Sequence, residues 1–423
     1  MTVDGGSEEI AVTTSQMERN LRLMPMLSAL ATSAAWQPVF VLFSTREFGL
    51  HNALLLSSLF FLAGVVLEIP TGWASDNFGR IGTLRIAAVS WIIAEAAFAA
   101  GSGSLLIVAI GQIALAGGFA FTSGTDVAYY FDTLEALGRE EEFAERQSRV
   151  RAIGYVAKGV CALIGGALGL LDLRIAFLFA LVIAIAQLGV LMAMHEPPRP
   201  SERVPFKTGL LNSFGYLRNA QVVWFLGYLV LLATLHHLSD ALMQPWLAEV
   251  LGKTPEELGG TPLFSGAVMA VIGIIGAAGA ASAARLSRRF GSVPVLIGYA
   301  VLSTLIVTTM ASSISFIAVS MLALRSLNGA ASDVLVSHEV SLRVGRFNRA
   351  TLISCASMLG ALGYSGYLTI VSGDQSGNVG TYLDRFALTA WIITGVLFLS
   401  ACLVWSRSGT SSVSNEVLAR KDA

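Results

Sequence analysis

The chain has 423 residues, 54% of them hydrophobic and only 13% charged, with a mean hydropathy of +0.69 and a formal net charge of −1. Soluble domains carry about 25% charged residues, so this composition excludes a mainly water-soluble protein, and the near-zero net charge hides the informative part, which is where the charges sit. Its three cysteines, Cys161, Cys355 and Cys402, lie inside apolar runs and read as packing residues, with no disulfide framework expected.

The first twenty residues are polar and mixed in charge, and the apolar run after them is too long for a signal-peptide core, so no cleaved signal is expected. Apolar runs of spanning length follow at 21–45, 52–75, 83–101, 105–132, 151–171, 173–194, 221–248, 262–284, 293–312, 314–338, 349–371 and 386–406. The expected fold class is an all-α integral membrane protein of twelve transmembrane helices in two pseudo-symmetric six-helix bundles. Its expected parts are an N-terminal tail (1–20), a first bundle (21–194), a linker (195–220), a second bundle (221–406) and a C-terminal tail (407–423). With both termini placed in the cytoplasm, 21 of the 27 Lys and Arg residues fall on cytoplasmic segments, four on the opposite side and two, Lys158 and Arg325, inside spans. That bias decides the orientation by the positive-inside rule.

Between the second and third spans runs Glu68-Ile-Pro-Thr-Gly-Trp-Ala-Ser-Asp-Asn-Phe-Gly-Arg80, a charged, Gly-bearing turn. Gly72, Asp76, Gly79 and Arg80 resemble the signature loop between helices 2 and 3 of the major facilitator superfamily of transporters, with Asn77 and Ile81 in place of its two flanking basic residues. The two halves of the chain are also similar to each other. Gln37-Pro38 recurs as Gln244-Pro245 and Thr125–Asp132 as Ser332–Glu339, both at an offset of 207, while Phe78-Gly79 recurs as Phe290-Gly291 at 212. Parallel six-helix repeats are the architecture the resemblance implies.

Ionisable groups inside spans are costly and are functional candidates by default. In the fourth span Asp126 and Asp132 lie about 240° apart around a helix, so they are assigned different work. Asp126, sharing a stripe with Tyr129 and Tyr130, is a candidate proton carrier, since a desolvated carboxylate exchanges protons nearer neutral pH; a structural pair with Lys158 of the fifth span is the alternative. Lys158 itself could be a counter-ion, a binder of a substrate carboxylate, or a residue snorkelling to the interface. The resemblance implies that Asp132 pairs with Arg80 as a conformational latch, with Glu339 and Arg288 or Arg289 as its echo in the second half. Glu68 is a further proton-coupling candidate, with a structural bond as its alternative. Glu95, in the third span, has no assigned role.

In the seventh span His236, His237, Asp240 and Gln244 fall on one face of a continuous helix, a stripe that can wall the cavity the resemblance places between helices 1, 4, 7 and 10. Asp240 is the third proton-coupling candidate. Arg325, with Asn328 within about 60° of helix surface, is suited to carboxylate or phosphate because its guanidinium stays charged and binds in a fork; an internal pair with Asp333 or Asp240 is the alternative. Trp36, Gln37 and Trp246 complete the candidate cavity lining. Gly165 and Gly169, then Gly273, Gly276 and Gly279, then Gly360, Gly363 and Gly366 form small-residue stripes that allow close helix approach. The segment from Asp132 to Arg149 reads as a short surface helix.

No phosphate-binding Gly-Lys loop, nucleophile constellation or Cys/His metal cluster is present, so neither an enzyme, a cofactor nor a metal is expected. The leading expectation is proton-coupled export of a small amphipathic or drug-like molecule by alternating access, as the likeness to drug-efflux branches implies. The alternatives are proton-linked uptake of a small organic anion and, in another class, a membrane sensor or scaffold. The expected partners are the lipid bilayer, a small-molecule substrate and protons, with no nucleic acid, in a monomer of the bacterial inner (plasma) membrane.

Overall fold

The computed structural model describes residues 4–198, 215–254, 257–344, 346–374 and 377–419, and these are helical throughout apart from short connections. The helices are α1 (Asp4–Thr32), α2 (Phe40–Ala100), α3 (Leu105–Thr122), α4 (Thr125–Glu135), α5 (Phe143–Gly169), α6 (Leu173–Met192), α7 (Ala220–Ala241), α8 (Met243–Val250), α9 (Thr261–Phe290), α10 (Ser292–Ser312), α11 (Phe316–Ala323), α12 (Arg325–Arg343), α13 (Arg346–Ser372) and α14 (Val379–Ala419). Each expected span is covered by helix. Among the described residues eight helices are long and apolar enough to cross a bilayer, and Thr261–Gly276 is a shorter apolar stretch. Large apolar side chains such as Leu106, Ile274, Ile317 and Ile370 stand outward, which in water would be an aggregation hazard and in a bilayer is a lipid-facing surface.

The spans turn and break at definite places. Within α2 the helical path is interrupted at Gly49 and Gly79, separating the first three spans. Gly79 (φ 77, ψ 175) and its repeat mate Gly291 (φ 83, ψ 154) share a left-handed turn into the next helix, a conformation that a side chain would strain. The spans expected to be continuous at 21–45, 105–132, 221–248 and 314–338 are each split. The first breaks between α1 and α2 around Pro38, whose ring cannot sit within a helix without clashing with the carbonyl four residues back. The fourth breaks at Ser123 and Gly124 (φ 72), the seventh at Leu242 and the tenth at Leu324.

The expected surface helix at 132–149 is instead the end of α4, a 3₁₀ turn at Glu140–Glu142 and the run-in to α5. Arg139 there bonds Glu18 at 3.0 Å and Glu142 at 2.8 Å, and Arg146 bonds Glu142 at 2.6 Å. The two guanidiniums hold the Glu142 carboxyl down at about 2.

Two compact units result. The first gathers Met1–Arg203, Met243–Ile274 and Ser365–Ser376; the second gathers Val204–Leu242, Ile275–Tyr364 and Gly377–Ala423. In the first unit an aromatic core of Phe40, Phe43, Phe98 and Phe177 packs with Val39, Leu115 and Leu173. Its glycine seam is in backbone contact: a Cβ on Gly165 would lie 1.9 Å from the carbonyl oxygen of Ala35, on Gly166 2.5 Å from that of Pro262, and on Gly266 2.4 Å from that of Ala162. Of the other expected glycines, Gly169 closes on Val39 and Pro262, Gly276 and Gly279 on Ser326 and Leu327, and Gly360 on Val230 and Ala233. Gly273, Gly363 and Gly366 face open space. The second unit is knit by Trp224, Phe225 and Trp405, by the Thr304–Thr394 hydroxyl pair at 2.7 Å and by Tyr228, whose hydroxyl donates to the Leu296 carbonyl at 2.9 Å.

Candidate functional site

The strongest polar constellation forms in the second unit from the two half-helix ends created by the breaks. Asp240 occupies the last turn of α7 and Arg325 the first residue of α12. Each opposes its own helix macrodipole, an anion at a C-terminus and a cation at an N-terminus, and each offsets the other. Arg325 Nη1 lies 2.7 Å from Asp240 Oδ1, with side-chain exposures of 10% and 28%. Arg325 Nε is buried without a hydrogen-bond partner among the described residues, so the guanidinium keeps donor capacity that Asp240 does not use.

Around this pair the His236 and His237 rings are edge to face at 5.2 Å, and the His237 ring lies 5.3 Å from that of Tyr364. Tyr364 donates its hydroxyl to the His237 carbonyl at 3.0 Å. Gly329 of α12 lets the His236 ring approach, since a Cβ there would stand 2.9 Å from its Cε1. Asn328, fully buried, donates to Ser303 and accepts from Ser332 at 3.0 Å. It is therefore a structural link between α10 and α12, not a free cavity amide. Asp333 is exposed and Asp240 takes the arginine.

Several lining candidates are corrected by their packing. Trp246, Tyr129 and Tyr130 are fully buried. Tyr129 donates to the His195 carbonyl at 2.8 Å, and both tyrosines sit in a core with Leu21, Met24, Leu84 and Leu134. The two tyrosines are scaffold because the α4 stripe that carries them faces α1 and the third span. Gln244 leaves the seventh-span stripe because the break at Leu242 ends the helical periodicity that had aligned it with His236; it is buried in the first unit, its carboxamide bonded to backbone. Trp36 stands in the first-span break, edge-on to Phe40, and Gln37 beside it is half-buried. Asp126 is half-buried in the first turn of α4, Lys158 is exposed on α5, and Glu68 is half-buried with its carbonyl accepting from Thr71 at 2.6 Å. Glu95 is buried, with its Oε2 lacking a hydrogen-bond partner among the described residues.

At the end assigned to the cytoplasm, Arg80 Nε meets Asp132 Oδ2 at 3.2 Å. The side chains of Gly72 and Asp76 lie outside the described residues. A residue that the sequence did not single out, Glu196, sets this corner: its two oxygens accept from the backbone N–H groups of Arg80 at 2.7 Å and Ile81 at 2.8 Å. A carboxylate on the first free amides of a helix satisfies orphan donors and complements the dipole. Its only sequence signal was an acid directly before Pro197-Pro198 at the end of the sixth span.

The echo in the second half differs from expectation. Arg288 and Arg289 are exposed at the end of α9, and Glu339 bonds Arg343 at 2.5 Å and accepts from the Ser292 hydroxyl. Ser292 is the repeat mate of Arg80 at the offset of 212, so the geometry recurs. The cation, however, has moved onto the acid's own helix, because Glu-x-x-x-Arg spacing puts both groups on one face.

The capping role gives a stability test. Glu196→Ala is expected to cost about 1–2 kcal/mol, whereas Asp132→Ala breaks a pair whose arginine is more than a third exposed and is expected to cost under about 1 kcal/mol. Thermal melts of the two purified variants should rank Glu196→Ala lower, and the reverse order would remove Glu196 as the cap.

The family model described as Major Facilitator Superfamily matches residues 23–368. No curated protein matches the sequence. Among solved structures, the chain is similar to the nucleoside transporter NupG at 14% identity, covering 90% of this chain and 99% of that one with a TM-score of 0.73. It is similar to a D-xylose-proton symporter at 14% identity, 90% and 96% coverage and a TM-score of 0.66. It is also similar to the E. coli fucose:proton symporter FucP at 15% identity, 90% and 98% coverage and a TM-score of 0.53. At these identities the likeness is one of fold.

Proposed function

This chain belongs to the major facilitator superfamily of transporters, and we propose that it is a proton-coupled secondary transporter carrying a small organic anion by alternating access. The observation that carries the reading is the Arg325–Asp240 pair, with its unused guanidinium donor and two neighbouring imidazoles. While Asp240 is ionised it occupies Arg325. A proton taken up by Asp240 removes that claim, and the forked guanidinium is then free for the carboxylate or phosphate of a substrate. Proton and anion thus load together, which is the logic of symport, and an inward proton gradient would drive uptake. The imidazoles of His236 and His237, edge to face at 5.2 Å, stand in the same polar cluster.

Export of an amphipathic molecule draws less support, because Tyr129, Tyr130 and Trp246, the aromatics proposed as its cavity wall, are packed in cores. In this reading Arg80 and Asp132 latch the cytoplasmic end, both termini face the cytoplasm, and the protein is a monomer in the plasma membrane.

Vesicles containing the purified protein and an internal pH dye provide the test. Mono- and dicarboxylates, organophosphates and neutral amphipathic compounds are added outside in turn. Interior acidification evoked by one of the anions and abolished in Asp240→Asn is expected. Acidification evoked by no compound, by neutral compounds alone, or surviving in Asp240→Asn would overturn the reading.

A further inference from the structure

The first span is broken, and the break is occupied. With Pro38 in the chain, the peptide groups around it do not continue the helical ladder. Val39 and Phe40 donate to the Trp36 carbonyl at 3.1 and 3.0 Å, and Phe43 resumes the pattern by donating to Val39 at 2.8 Å. That leaves the Gln37 carbonyl and the N–H groups of Val41 and Leu42, which in an unbroken helix would have paired Val41 with Gln37.

The carboxamide of Gln244 fits between them. Its Oε1 accepts from Val41 N at 2.9 Å and Leu42 N at 3.0 Å, and its Nε2 donates to the Gln37 carbonyl at 2.7 Å. The side chain acts as a surrogate peptide unit inserted into another helix's ladder, a recognised cause of helix breaks. Gln244 is buried, along with Pro245 and Trp246. Gln244 and Gln37 are also repeat mates at the offset of 207, so the Gln-Pro elements of the two halves meet at their own equivalent positions.

These contacts join the outer ends of the first and seventh spans, the ends that the arginine bias turns away from the cytoplasm. Within the same unit Ser58 bonds Ser365 at 2.9 Å and Thr369 at 2.8 Å, and His51 Nδ1 meets the Ser372 carbonyl at 2.5 Å. Gln244 differs from those ties in satisfying three backbone groups that no other side chain among the described residues is seen to bond. When the two ends part, water can take over all three positions, so the tie can be undone without stranding a buried polar group.

We propose that Gln244 is the outer-side clasp of the transport cycle: inserted into the broken first span it holds the outer ends of the first and seventh spans together, and it withdraws when that side opens. The clasp rests on the alternating-access part of the proposed function and on none of its substrate chemistry, so its test reads conformation instead of transport.

Ser44, in the outer part of the first span, is fully buried and its hydroxyl has no hydrogen-bond partner among the described residues, so Ser44→Cys is a near-isosteric reporter. In full-length protein with Cys161, Cys355 and Cys402 replaced by alanine, its reaction with a membrane-impermeant maleimide applied from outside reports opening of that side. Gln244→Met keeps the length and removes all three bonds. It is expected to raise the labelling rate by about tenfold to a hundredfold. Gln244→Glu keeps the oxygen that accepts from Val41 and Leu42 and loses the donor to the Gln37 carbonyl, and should label at an intermediate rate. Ser58→Ala should change the rate by less than Gln244→Met. If Gln244→Met does not fold, the faster labelling of Gln244→Glu over the parent carries the test alone. Labelling in folded Gln244 variants at the parent rate would overturn the clasp, even if anion-driven acidification were found; the clasp would equally survive a failure of the anion reading.

Discussion

Replacing Arg325 with methionine is expected to lower stability by about 3 kcal/mol, near the low end of the range for losing one partner of a buried pair, because Asp240 keeps 28% of its side-chain surface exposed. The loss has two parts. Asp240 is left without its counter-ion, and its negative charge remains at the C-terminus of α7, where the macrodipole opposes it. Asp240→Leu should cost a similar amount by the mirrored argument, with an unopposed cation at the start of α12. The double variant Arg325→Met/Asp240→Leu leaves neither charge buried and should recover most of the thermal stability while remaining inactive in any proton-coupled assay. A double variant that melts as low as the single ones would show that the two residues are not energetically coupled. Arg325→Lys should retain some stability and lose anion handling, since an ammonium offers no planar fork.

The second large effect concerns the glycine seam. Gly165→Ala would put a methyl group 1.9 Å from the Ala35 carbonyl oxygen and 2.7 Å from its carbon. The obstacle is backbone, not the movable end of a side chain, so the strain lies at the upper end of overpacking costs, about 3 kcal/mol. Better helix propensity returns about 1 kcal/mol, giving a net loss of about 2 kcal/mol. Gly273→Ala, with nothing within 4 Å of the new methyl, is the matched control and should be neutral or slightly stabilising. Paired melting temperatures decide the matter. Equal values for the two variants would mean that α5 and the first-span break can part by more than an ångström at little cost.

Much of the fold was legible in the sequence because a bilayer imposes simple requirements. Long apolar runs, arginines concentrated on one side and three ordered repeat matches were enough to define the spans and their pairing. The breaks were hidden because they fall within apolar stretches, where neither hydropathy nor charge changes. Only Pro38 and Gly124 marked two of them. Once the breaks were missed, helical periodicity carried Gln244 onto the face of His236, and a backbone-capping residue read as a cavity residue. The Arg325–Asp240 pair was foreseen as one of two options, since a buried arginine needs an acid and two were within reach. Tyr129 and Tyr130 misled because amphipathic aromatics suit a cavity wall and a core equally well. Glu196 stayed hidden because its partners are backbone amides, which every sequence contains.

The Arg80–Asp132 corner and the Ser292–Glu339 corner have one geometry and different electrostatics. In the first half, separating Arg80 from Asp132 pulls opposite charges apart across two helices. In the second, Glu339 keeps Arg343 beside it on α12, and what it gives up to α10 is the hydroxyl of Ser292. Added salt weakens the first kind of contact by screening and scarcely touches the second. Ionic strength should therefore act on one half of the molecule, loosening the first corner while the second keeps its grip, so that two repeats of one architecture respond differently to salt.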